Sequence, residues 1–386
     1  MPSRDPVLII GAGLGGLVLA QALRKANIPF RIFERDTDPQ ARTQGWAISL
    51  HSWLISDLIS ATHLDKKTLD SLCVTRALDL DSQGAIYSIA NRELKTLYRF
   101  GAGTDNPFVR VSRAKFREQL LDSIVIEWGK TFKSYNEDET GVTATFEDGT
   151  EIRGSILVGA DGTSSRVRRQ LAAGIPAAEP ARLPIGIVIG QLVATQGQYE
   201  RWMKLGNSFF VGFADTRRLF IGVKDVADDL QSAQYYWMFG WQDHDATEND
   251  FWTTSASREE MHAYVMSHLD NLNEDYIEPI RQTPVEGILL PPIVMKDMVP
   301  PVLPRGKVTL IGDAVHPMVP FRGEGGNMAM KDAITLAESL VKAGETADLT
   351  DAFKGYEEEM TERCTKSVLN SRASTFPQDL LKQRHL

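Results

Sequence analysis

Directly after the apolar run Val7–Ile10, glycine recurs as Gly11, Gly13 and Gly16. This G-x-G-x-x-G spacing, set between a strand-like run and a helix-like one, leaves few folds open. The first glycine allows a tight turn, the second lets backbone approach a pyrophosphate, and the third lets helix pack on strand. The helix opening here aims its free N–H groups at a phosphate. Leu17, Ala20 and Leu23 repeat on one helical face, and Phe30–Phe33 follows as a second buried strand. That strand runs into Glu34, 18 residues after Gly16, where a carboxylate accepts hydrogen bonds from a ribose. An acid there disfavours a 2′-phosphate and leaves NAD and FAD as occupants. Arg35 comes next, either covering an adenine or standing in solvent.

Two later segments repeat the strand-to-loop grammar. "ILVGADGTSSRVRRQL" gives a buried strand ending at Asp161 and a helix capped by Ser164 or Ser165. "VTLIGDAVHPMVPFRGEGGNMAMKDA" gives a strand from Val308 to Ile311, then a loop with Asp313, Pro317, Pro320, Gly323, Gly325 and Gly326 before a helix. Glycines let the backbone come close to a ligand. A helix N-terminus favours negative charge, as on a reduced flavin.

Together, "GAGLGG", "GADGTSSRVR" and "GDAVHPMVPFRGEGGNMAMKDA" resemble the three motifs of the class A flavoprotein monooxygenases, the para-hydroxybenzoate hydroxylase type. The order and separations match over roughly residues 5 to 340. The length is similar to that of small members such as the tetracycline-inactivating and salicylate hydroxylase-like enzymes. The resemblance implies an α/β fold: a Rossmann-like FAD-binding domain, an inserted mixed or antiparallel β-sheet substrate domain and a C-terminal helix. On it, residues 1–180 and 286–342 form the FAD-binding domain, 181–285 the substrate domain and 343–386 a helical end.

The resemblance also implies site residues. Gly11, Gly13, Gly16, Glu34, Arg35 and Asp161 would serve FAD, with Asp313 accepting a bond from the ribityl chain. Pro320, Gly323, Gly325, Gly326 and Asn327 would bring the late helix to the flavin ring, and Arg113 would reach the flavin, with Arg110 and Arg117 as alternatives. Thr43–Leu50 matches the segment that passes the ring, but holds Gly45, Trp46 and Ala47 where relatives often carry two glycines. Glu324 replaces a common glutamine, and His316 is read as structural. The implied activity uses NAD(P)H and O2 to hydroxylate or epoxidise an aromatic or polycyclic small molecule through a flavin C4a-hydroperoxide. No catalytic side chain is assigned, because the cofactor is the reactive group. The alternatives are an oxidase or dehydrogenase on the same fold and, more remotely, a non-catalytic flavin binder.

Beyond Leu183 the chain reads as apolar or alternating strands separated by polar turns, an antiparallel sheet. Gln191, Phe210, Phe220, Trp237 and Phe239 are its candidate substrate residues. "WTTSASREEMHAYVMSHL" reads as a capped helix over Trp252–Leu269. Net charge is -9, which argues against nucleic acid as a partner. Cys73 and Cys364 fit no metal or redox spacing and read as reduced thiols. No run reaches the length of a membrane span, so the expectation is a cytoplasmic enzyme without metal or membrane partner.

Overall fold

The computed structural model describes residues 5–41, 45–344 and 349–376. Val7–Ile10, Phe30–Phe33 and Ile156–Gly159 are short runs of branched and aromatic residues, nearly all buried, as a sheet covered on both faces requires. They join a five-stranded parallel sheet whose order, from one edge, is Val308–Leu310, Ile156–Gly159, Val7–Ile10, Phe30–Phe33 and Ile126–Glu127. The helix Leu14–Lys25 packs against this sheet and against the helix Gly325–Ala343. The three glycine-bearing loops therefore leave neighbouring strands at one sheet end. That is where ligands bind in open α/β sheets.

The second layer is a six-stranded sheet. Ile185–Thr195, Ser232–Gln242, Arg217–Val226 and Phe209–Ala214 run antiparallel in that spatial order. Gln83–Ser88 then pairs parallel to Phe209–Ala214, and Lys95–Gly101 closes the outer edge. These last two strands come from the first 180 residues, so the sheet draws on a part of the chain that the sequence reading gave wholly to cofactor binding. The helices Arg258–Ser267 and Glu274–Arg281 pack on its back. The first starts at a capping box of Ser257 and Glu260, later than the Trp252 start expected. Two crossings between the layers, Ala181–Arg182 and Lys296–Asp297, pair as a small ribbon. Leu349–Ala373 forms the last described helix and packs on Gly325–Ala343. Among the described residues, no helix is long and apolar enough to cross a membrane.

Candidate active site

The first glycine loop is tight where it must be and open where a ligand needs room. Gly11 has φ +111°, and a Cβ there would stand 2.4 Å from the Ala160 carbonyl oxygen. A Cβ at Gly16 would stand 2.0 Å from the Gly11 oxygen, while one at Gly13 would meet nothing within 4 Å. The helix beginning at Leu14 has no side-chain cap and no acid in its first turn. Its free N–H groups and the open face at Gly13 fit a pyrophosphate. Glu34 is buried and accepts from the Ala12 N–H at 2.8 Å and the Asp36 N–H at 3.1 Å. It braces the loop while retaining lone pairs for a ribose. Arg35 is exposed beside it.

Asp161 has a different first task from the one expected. Its carboxylate accepts from the Ser165 hydroxyl at 2.5 Å and the Arg166 N–H at 2.7 Å, so it organises the start of the helix Arg166–Leu171. Ser165, one of the two expected caps, accepts from the Arg168 N–H at 2.9 Å. Arg168 then crosses between motifs, donating to the Thr163 carbonyl at 2.7 Å and the Ala314 carbonyl at 2.8 Å. Burial lowers its pKa, but an arginine starting above 12 stays charged. The middle motif thus holds the late one in place.

In that late loop, Gly312 turns with φ +60° and its N–H donates to Asp332 at 2.8 Å. Asp332, in the following helix, also pairs with His316 at 2.6 Å and Arg363 at 3.0 Å. Burial pushes the Asp332 carboxyl up, but His316, Arg363 and the Gly312 N–H hold it below its ordinary range. Burial pushes His316 down, and Asp332 with Cys364 raises it well above its ordinary value. His316 is therefore a buried half of an ion pair and is closed to substrate. Cys364 lies against the same carboxylate, where Arg363 already supplies the cation.

Asp313 instead faces solvent, in a concavity dense with protein, with the Thr163 hydroxyl 3.5 Å away. Desolvation raises its pKa, and the charges of His316 and Arg113 oppose the rise. Arg113 and Asp313, 200 residues apart in sequence, are thus brought together. Pro320 opens a short 3-10 turn that ends at Gly323 with φ +65°. Gly325 and Gly326 start the helix Gly325–Ala343, and a Cβ at either would meet only side-chain carbons, at 3.5 and 3.8 Å. Asn327 clamps the strand Ala47–His51: it donates to the Ser49 carbonyl at 2.8 Å and accepts from the His51 N–H at 2.9 Å. Glu324 is nearly buried and ion-paired to Arg322 at 2.9 Å, with the ring of His51 nearby. Of the segment expected beside the flavin ring, Thr43 and Gln44 lie outside the described residues, and Gly45 onward borders this clamp.

The six-stranded sheet sorts the candidate substrate residues by alternation. Phe210, Trp237 and Phe239 point to the back. Phe210 stacks edge-on with Tyr276, Trp237 donates to the Thr283 hydroxyl at 2.7 Å, and Phe239 meets His268. All three are fully buried core residues, which corrects the expectation that they line the pocket. Phe220 is on the front with Met238 and Ile189 and packs on Phe209 and Tyr236, while Met238 and Ile189 meet Trp46 and the late loop's Val319 and Phe321. Gln191 lies in the front row beside Tyr236 but is open to solvent. Trp46 closes one side, 5.6 Å from Tyr236 by ring centroid, over a small apolar cavity shared with Ile187, Ile189, Leu289 and Pro291. The front also holds residues the sequence reading did not assign to substrate: Tyr236, Arg218 and Arg110. In "QYYWMFGWQ" both faces are aromatic, so no polar phase shows which residue faces forward.

Comparison with known proteins decides the family. The profile of the FAD binding domain family matches residues 104–371, and that of the NAD(P)-binding Rossmann-like domain matches residues 9–49. The chain belongs to the FAD binding domain family. It is 36% identical over 376 residues to the FAD-dependent monooxygenase thnD of Trichoderma harzianum, covering 95% of this chain and 92% of that protein. It is 30% identical to the FAD-dependent monooxygenase phnB of Penicillium herquei, over 94% and 88% of the two chains. In fold it matches HpxO of Klebsiella pneumoniae complexed with FAD, at TM-score 0.76 and 22% identity, over 98% and 93% of the chains. The chain is an FAD-dependent monooxygenase with NAD(P)H as reductant, and the Rossmann-like fold expected from the sequence is present.

Proposed function

We propose that this monooxygenase hydroxylates or epoxidises an aromatic or polycyclic small molecule held against the front of the six-stranded sheet. One observation carries the reading: Met238, Ile189 and Trp46 on the front of the sheet form one apolar cluster with Val319 and Phe321 of the late loop, and Phe220 adjoins Met238 across the sheet. A flat, apolar compound would be held at such a front, and aromatic stacking would orient it. Bound FAD, once reduced by NAD(P)H, would supply an oxygen atom from O2.

The chain's own residues supply binding and shelter. Gly11, Gly13, Gly16 and the Leu14–Lys25 helix would take the pyrophosphate, Glu34 the ribose and Asp313 the ribityl chain. The flavin ring would lie between the strand Ala47–His51 and the N-terminus of the helix Gly325–Ala343, whose spacing Asn327 fixes. That helix end favours negative charge on the ring. The apolar front excludes water, which strengthens these electrostatic effects. Dependence on NAD(P)H and two free thiols support a cytoplasmic setting.

The test is NADPH oxidation by the yellow protein under 18O2 with a panel of polycyclic phenols and quinones. Substrate-stimulated oxidation with one labelled oxygen in the product is expected. Turnover of the panel with no label in any product would instead make the protein an oxidase or dehydrogenase.

A further inference from the structure

Arg110 is a buried cation with no ion-pair partner among the described residues. It lies in the strand Phe108–Ser112, which pairs with Ala47–His51, and it is 4% exposed. Its guanidinium donates to the Ser49 hydroxyl at 3.0 Å, to the Ala47 carbonyl at 3.3 Å and to the Tyr236 hydroxyl. Its Nε has no acceptor among the described residues. The rings of Phe209, Phe220 and Tyr236 surround it at 4.9, 5.4 and 5.9 Å. Of the described residues, Tyr236 and Cys73 are the groups that act on its charge, and neither is a carboxylate.

A guanidinium taken out of water is ordinarily matched by an anion, because desolvation is costly and neutral oxygens recover only part of it. Here the charge is tied to the strand that flanks the proposed ring site, through Ala47 and Ser49. The same strand is fixed from the other side by Asn327, in the first turn of the cofactor-loop helix. The missing negative charge is therefore one that exists only part of the time. A flavin bound as placed above would carry negative charge once reduced, and would bring that charge to this strand.

We propose that Arg110 is a positioning residue for the cofactor, a buried cation beside the Ala47–His51 strand that stabilises the reduced flavin and raises its reduction potential. The proposal rests on the placement of the ring given above. Low local dielectric carries the effect across a strand without direct contact.

The measurement is the potential of the bound flavin, titrated spectroscopically against a reference dye in the holoenzyme. Arg110→Gln should make reduction about tenfold less favourable, which is about 30 mV for a two-electron couple. Arg110→Lys keeps the charge and should stay near the wild-type potential. Tyr236→Phe removes a hydrogen bond but no charge, and should also leave the potential in place. Cys73→Asp provides the decisive control, since it leaves Arg110 and its bonds intact and supplies a carboxylate beside the guanidinium. It should lower the potential as Arg110→Gln does, and it decides the matter if the glutamine variant does not retain FAD. Wild-type potentials in both Arg110→Gln and Cys73→Asp overturn the inference and leave the monooxygenase reading standing. A protein that cannot be loaded with FAD overturns both.

Discussion

Gly13 and Gly16 look equivalent in the sequence, yet the structure gives them opposite demands. Gly16 lacks room for a methyl group, because the intruding atom would be the Gly11 backbone oxygen at 2.0 Å, which cannot step aside. Gly13 has φ −75°, ordinary for any residue, and its Cβ would touch no protein atom within 4 Å. Gly16→Ala should therefore cost about 3 kcal/mol in the apoprotein by overpacking. Gly13→Ala should leave apoprotein stability within about 1 kcal/mol of wild type, while weakening FAD binding at least about tenfold, about 1.4 kcal/mol. Urea denaturation of the apoproteins and fluorescence titration with FAD separate the two. Normal FAD affinity in Gly13→Ala would remove the pyrophosphate from this loop. The glycine spacing was legible in the sequence because backbone clearance is a local property. The duties of Asp161 and Asn327 were not. Asp161 caps a helix four to five residues on, a local duty its place in a strand-to-helix motif masked, whereas Asn327 clamps a strand about 280 residues upstream, and that partner depends on the assembled fold.

At the scale of the element, the strand Ser232–Gln242 shows what a sequence withholds. An antiparallel sheet with one wet face alternates apolar with polar, and its phase can be read. This strand is covered on both sides, by helices behind and by the cofactor loop in front, so Tyr235, Tyr236, Trp237 and Met238 give no phase. The strands themselves and their antiparallel pairing were legible, but the face of each aromatic residue was not. The two faces now make separable predictions. Phe239→Ala should destabilise the protein by about 3–5 kcal/mol, as for a fully buried ring. Phe220 is half-buried on the front, so Phe220→Ala should cost less stability and raise KM for the productive substrate about tenfold. Steady-state kinetics beside denaturation curves test this. An unchanged KM in Phe220→Ala would move the substrate off this face.

At the scale of the whole molecule, the two layers are joined at the ribbon of Ala181–Arg182 and Lys296–Asp297, and the end of the chain fastens that joint. Arg372, near the close of the last helix, grips the fully buried Asp297 with two bonds of 2.7 and 2.8 Å. Two residues later the Ser374 carbonyl accepts from Arg218, which also donates to the Phe321 carbonyl of the cofactor loop at 2.8 Å. Burial brings the Arg218 pKa down to about 9, so it remains cationic at neutral pH. The helix end thus ties the crossing ribbon, the six-stranded sheet and the late glycine loop together at one corner. Arg372→Met would leave Asp297 buried without its partner. Since Arg372 is itself about half exposed, the loss should be about 2 kcal/mol, below that of a fully buried pair. The double variant Arg372→Met with Asp297→Asn should recover part of it, because no unpaired charge remains. The functional consequence follows from the same geometry. With substrate at the proposed front of the sheet, a loosened corner would admit water there, and more of the electrons from NADPH should end as hydrogen peroxide instead of product. Peroxide yield per NADPH should rise in Arg372→Met and fall back in the double variant. A peroxide yield that stays at the wild-type level while stability drops would show that this corner holds the layers together without shielding the proposed substrate site.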